Sequence, residues 1–216
     1  MSKKREDQKN YHHGDLVPAL IGAGLTLLRE RGIDAVTLRN VASAASVSHS
    51  APYHYFPTKA ALLAAMAASG FDSMNATIEL VASELDACEP IAQLRAVGRG
   101  YLAFARANPE LFRLMFRPEL ICPNDHPLLK AAEQRTFGAL FAAMQAYIAT
   151  RKAGPSPVDI DARVASGFAW STVHGLATLH LDQVFGETPV GQLEFESFAN
   201  QAVEFVIIAL EANGSS

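Results

Sequence analysis

Two short helical patterns meet across a three-residue polar turn between Thr37 and Lys59, and no other stretch limits the possible folds as much. Thr37 is a good N-cap, and Leu38, Val41, Ala42 and Ala45 put an apolar stripe on one face of a short helix. Ser46-Val47-Ser48 reads as a tight polar turn around one buried apolar residue. Ser48 is placed to cap a second short helix running through Tyr53 to about Phe56. Pro57 ends that helix, because proline disfavours helical geometry in the residue before it, and Lys59 starts the next. Upstream, from Asp15 to Arg31, Leu16, Leu20, Ala23, Leu27 and Leu28 recur at helical spacing, with Pro18 near the start and Gly32 as a left-handed C-cap. Three helices over residues 15–56 are the smallest unit that buries the core of a helix-turn-helix, whose second helix enters a DNA major groove.

Beyond Thr58 the pattern changes to long helices punctuated by proline and glycine. Helices are expected at 59–87, 91–107, 109–116, 128–152, 160–184 and 193–212, with 117–127 a proline-rich loop and Gly154-Pro155-Ser156-Pro157 a break. Half of the residues are apolar and long alternating Val/Ile/Thr runs are absent, so the expected fold class is all-α. The expected division is a helix-turn-helix domain at 1–57 and a larger helical domain at 58–216.

A net charge of −4 looks wrong for a partner of nucleic acid until the chain is divided. Residues 1–60 hold eight Lys/Arg against five acids, giving +3, whereas the rest hold ten against seventeen, giving −7. Phosphate binding needs local rather than global positive charge, so double-stranded DNA remains the expected partner of the first segment. The two cysteines, Cys88 and Cys122, lack CxxC spacing, so neither a disulfide framework nor a zinc finger is indicated. The adjacent His12 and His13 point in different directions on a helix with no supporting ligand nearby. No metal or cofactor is expected. The first residues lack an apolar leader and no run approaches a membrane span, so a cytoplasmic protein without membrane partners is expected.

The opening Tyr11 to Leu16 (YHHGDL), the Gly32 to Thr37 junction, VASAASVS, and Tyr53 to Leu63 (YHYFPTKAALL) resemble the DNA-binding domain of the TetR family of bacterial transcriptional repressors. Trp170-Ser171-Thr172-Val173-His174-Gly175 resembles the tryptophan-histidine-glycine signature of one subgroup of TetR-like ligand-binding domains. Pro52 departs from the family, which often has leucine there, and its effect on base readout does not follow from the sequence.

The resemblance makes the segment from His49 to Tyr55 the recognition helix, with Ser48, His49 and Ser50 near base edges. It implies that Tyr53 and His54 contact phosphate, with Thr37 and Lys59 holding phosphates from two helix starts, where free amides favour anions. Arg39 adds a further phosphate contact, and Lys3, Lys4 and Arg5 form a basic arm. Val47, Tyr55 and Phe56 read as core. In the second domain the expected ligand pocket draws on Tyr101, Phe104, Met115, Phe116, Phe137, Phe141, Met144, Trp170 and His174, an aromatic and methionine lining suited to a small hydrophobic effector. Each of these residues also reads as ordinary core. Stripes at Val164, Phe168, Val173 and Leu176, and at Phe198, Ala202, Phe205 and Leu210, suit a four-helix dimer interface. The small residues Gly167, Ala169, Gly175 and Ala177 permit close helix approach there.

The expected function is that of a homodimeric repressor on a palindromic operator, released by its effector, with no catalytic residues. Two alternatives stay open. One is a ligand-independent regulator controlled by a protein partner. The other is a small-molecule enzyme with a vestigial DNA motif, assembled from His174, His126, Cys122 and Glu133.

Overall fold

The protein is described here by a computed structural model covering residues 16–85, 88–152 and 160–212. The basic arm at Lys3 to Arg5, the His12-His13 pair, most of the YHHGDL segment and the Gly154 to Pro157 break lie outside the described residues. Every regular element among the described residues is helical, as the sequence predicts.

Helix α1 (Leu16–Arg31) buries Leu20, Leu27 and Leu28. Gly32 then takes φ +76°, the sign that glycine adopts without a steric cost, with an extended ψ of 179°. Helix α2 (Leu38–Ala44) starts as expected: the Thr37 hydroxyl accepts from the Asn40 amide at 3.1 Å. Its end carries a device that is hard to see in the sequence. Ser46 has φ +57°, the Ser46 amide donates to the Ser43 carbonyl at 3.1 Å, and the Val47 amide reaches back to Ala42 at 3.0 Å. This is a Schellman ending with serine where glycine is usual.

The next element differs from its expected form. It is a single 3-10 turn (Ala51–His54), and Ser48 does not cap it with its side chain. An α-helix capped at Ser48 needs residue 52 to donate to the Ser48 carbonyl, and proline has no N–H. The Ala51 amide donates to that carbonyl instead, at 3.0 Å, and the tighter 3-10 pattern follows. Pro52 itself is buried, so its ring packs inward and shapes the backbone rather than facing solvent.

Helix α3 (Lys59–Glu84) is the axis of the molecule, packing on α1 and on helices α4 (Pro90–Ala107), α5 (Pro109–Met115), α6 (Pro118–Ile121) and α7 (Pro127–Lys152). Thr58 caps it by accepting from the Ala61 amide at 3.1 Å. Thr58→Ala is expected to lower the unfolding free energy by about 1 kcal/mol, a drop in Tm of roughly 2–4 °C. A melting curve unchanged by the substitution excludes a stabilising cap. The stretch expected as a loop contains α6 and a 3-10 turn, each opened by a proline where its missing donor is harmless.

Helices α8 (Ala162–Leu181) and α9 (Phe195–Ala212) complete the bundle and are shorter than expected. The Asp161 side chain accepts from the Arg163 amide, and Glu194 accepts from the Ser197 amide at 2.8 Å. Both helices therefore begin at an acidic cap rather than at the first apolar residue of their pattern. One core runs from the three N-terminal elements along α3 into α4, α5 and α8, and a second fills the far end around Met144, Tyr147 and Ile207.

Candidate nucleic-acid interface and apolar cavity

The elements at 37–59 expose a set of polar side chains. Arg39, Ser48, His49, Ser50, Tyr53, His54 and Lys59 are all exposed, and Tyr53 shows 56% of its surface. Ser43 Oγ lies 3.2 Å from His49 Nε2 and Ser48 Oγ 3.1 Å from Ser50 Oγ, so these four polar side chains are paired with one another before any partner arrives. Lys59 does not simply project into solvent. Its ammonium donates to the Ile33 carbonyl at 3.1 Å and ties the start of α3 to the segment after α1. Val47 and Phe56 pack on the core as expected, but Tyr55 is exposed.

Between α4, α7, α8 and α9, with Ile78 of α3 closing one side, lies an apolar cavity of about 50 Å³. Tyr101, Phe137, Met144 and Trp170 line it, as expected from their spacing. The other expected residues lie elsewhere. Phe104 and Met115 are packed into the solid core, Met115 against the backbone notch at Gly70. Phe116 and His174 line a separate outer cleft with Arg113 and Arg117, and the half-buried Phe141 lies outside the cavity wall. Helical spacing says which residues share a face, but not which of two spaces that face meets.

The residues missed are mainly those of α9: Val203, Val206, Ile207 and Leu210. That helix is apolar on two faces, and its inner stripe is read from the sequence as part of a dimer surface. The structure separates the two. Val173, Leu176, Ala202 and Leu210 are buried in their own subunit, as are Ala169 and Ala177. Val164 (68%), Phe168 (50%), Phe205 (69%) and Ile208 (55%) are the exposed ones. Gly167 and Gly175 are open on the outside of α8, where an added Cβ meets nothing within 4 Å.

A single aromatic layer separates the cavity from the outer cleft. The Tyr101 hydroxyl and His174 Nδ1 are hydrogen-bonded at 2.7 Å, and the Phe116 ring stands edge-on to His174 at 4.6 Å. Burial pushes the Tyr101 pKa up; the nearby Trp170 indole offsets part of this without making a hydrogen bond of ordinary geometry. Burial also holds His174 below the ordinary histidine value, and the same cause, with Arg106 beside it, lowers His180. Such groups bind a proton more readily in the unfolded chain, so stability falls as pH drops below the ordinary value of 6.5 and levels off below the depressed folded value. Chemical denaturation between pH 7 and pH 5 is expected to show this loss, and His174→Gln to flatten part of it.

A helix-turn-helix carried on a helical bundle with an internal apolar cavity is the arrangement of a DNA-binding regulator. Residues 94–204, more than half of the chain, match the model for the "Tetracyclin repressor-like, C-terminal domain", and residues 20–66 match "Bacterial regulatory proteins, tetR family". The chain belongs to the TetR family of DNA-binding transcriptional regulators. No curated protein matches it. Among solved structures it is similar to a protein of unknown function from Rhodococcus sp. RHA1, at 28% identity and TM-score 0.76, over 94% of this chain and 98% of that one. It shares the fold of the TetR family regulator PfmR from Thermus thermophilus, at 18% identity and TM-score 0.62, over 88% and 97% of the two chains. It shares the fold, too, of the transcriptional regulator FadR from Bacillus subtilis, solved in complex with stearoyl-CoA, at 15% identity and TM-score 0.60, over 88% and 97%. No helix among the described residues is long and apolar enough to cross a membrane.

Proposed function

We propose that the chain is a cytoplasmic, homodimeric repressor that binds a palindromic operator through residues 1–57 and is released when a small hydrophobic ligand enters the bundle formed by residues 58–216. The observation that carries this reading is the span of α3. Lys59, at the DNA-facing end, and Ile78, in the cavity wall, lie on one unbroken helix about 28 Å apart along its axis. The cavity is small, so an effector larger than a few heavy atoms must push its walls apart, and α3 is one of those walls. Ligand then favours the conformation in which the two recognition elements of a dimer no longer match half-sites about 34 Å apart. FadR, which shares this fold, was solved in complex with stearoyl-CoA, whose long acyl chain supports an effector with an apolar part.

The proposed DNA contacts are Ser48, His49 and Ser50 for bases, and Thr37, Arg39, Tyr53, His54 and Lys59 for phosphates. Operator footprinting of single-residue variants tests them. Lys59→Ala is expected to weaken binding evenly across operator sequences and to lower the salt slope by about 1 per subunit, whereas His49→Ala is expected to change base preference. Loss of operator binding in neither variant overturns this assignment of the face. The enzyme alternative finds little support: His174 stands in the cleft wall, which includes none of His126, Cys122 or Glu133.

A further inference from the structure

The cavity wall is chemically one-sided. Among the described residues its polar side chains are Tyr101, Thr136 and Trp170, and no acidic or basic side chain lines it. Thr136 Oγ1 donates to the Ala132 carbonyl at 3.2 Å, and the Tyr101 hydroxyl is bonded to His174. The Trp170 indole N–H is different: it is buried, it belongs to a residue of the cavity wall, and the Tyr101 hydroxyl beside it does not accept from it with ordinary hydrogen-bond geometry. Buried indole donors usually have a partner, and an unmet one carries the desolvation cost of the group.

From this we propose that the effector is a neutral, apolar molecule carrying one hydrogen-bond acceptor, a carbonyl or ether oxygen, that accepts from Trp170 Nε1. The inference rests on the reading of this cavity as the effector site and narrows its chemistry. A carboxylate is excluded because it would be buried with no counter-charge in the wall. A hydrocarbon fits the walls but leaves the indole without its partner. A ketone or ester satisfies both requirements. The raised pKa of Tyr101 and the lowered one of His174 agree with a site that disfavours ions.

Trp170 is the only tryptophan of the chain, so its indole N–H gives one resolvable NMR signal in the nitrogen-15-labelled protein. Heptane, 2-heptanone and heptanoate form a matched set of probes. Expected at neutral pH are a downfield shift of the indole proton with 2-heptanone, roughly 3–10-fold weaker binding of heptane, and no binding of heptanoate at this site. In Trp170→Phe, which keeps an aromatic ring but not the donor, the preference for the ketone over the alkane is expected to vanish. Equal binding of ketone and alkane by the wild type without an indole shift overturns the inference, as does binding of heptanoate in the cavity, and both leave the cavity standing as a ligand site. Failure of all three probes to perturb the cavity residues overturns the inference together with the reading beneath it. Ketone binding with the indole shift but undiminished operator affinity supports the chemistry and overturns the induction model alone.

Discussion

Phe168→Glu combined with Phe205→Glu is expected to give a folded monomer whose operator affinity has fallen on the order of 10²–10⁴-fold. Both side chains are at least half exposed in the single chain, so their replacement removes little of its own core. Val164 and Ile208 on the same two helices are exposed as well, and Gly167 and Gly175 are open to an added Cβ, so α8 and α9 both present apolar surface to solvent. Covering such a face with a second copy removes it from water, and a two-fold pair places two recognition elements on one side of DNA. Four glutamates brought together in the paired form oppose each other and must be desolvated. The affinity loss follows from linkage: a lone element lacks the effective concentration that a joined partner supplies. Sedimentation and a half-site binding assay check the two parts separately. A double variant that still sediments as a dimer places the interface elsewhere, whereas a monomer with full operator affinity rejects the need for a pair.

The division between what the sequence shows and what it hides follows the range of the interactions involved. Thr37, Thr58 and the proline-opened helices are local devices, satisfied within three or four residues, and their positions are readable in a linear pattern. Pro52 is also local, but its consequence is not legible from its position alone: the missing amide matters less as a lost contact than as the reason the Ala51–His54 segment tightens into a 3-10 turn. The cavity is only half legible. Tyr101 and His174 stand 73 residues apart in sequence and meet through one hydrogen bond, and periodicity carries no information about such a pairing. Helix α9 hides its role for a different reason. With apolar residues on two faces, its sequence does not say which face meets the cavity at Val206 and Leu210 and which meets solvent at Phe205 and Ile208.

The crossing of α3 and α4 sets the second large effect. Gly100→Ala is expected to destabilise the fold by about 1–3 kcal/mol even after the roughly 1 kcal/mol that alanine gains over glycine inside a helix. A Cβ at Gly100 would stand 2.7 Å from the Ile78 Cα and 3.1 Å from its backbone nitrogen, and a helix backbone does not step aside as a side chain does. Gly24→Ala sets a useful contrast. There the new Cβ meets the Met66 sulfur at 2.8 Å, the far end of a flexible chain that can turn away, so the two effects come close to cancelling. Gly138 has nothing within 4 Å of the added atom, and alanine there is expected to raise stability by up to about 1 kcal/mol. Thermal melts of the three variants should therefore rank Gly138→Ala above wild type, Gly24→Ala near it and Gly100→Ala several degrees below. Equal melting of the first and last excludes the close helix crossing. Because Ile78 also walls the cavity, the separation forced by Gly100→Ala should move α3 in the direction proposed for the effector. Its operator affinity is accordingly expected to fall in the absence of any ligand, and a variant that is destabilised but binds operator as wild type does would detach this helix crossing from the release mechanism.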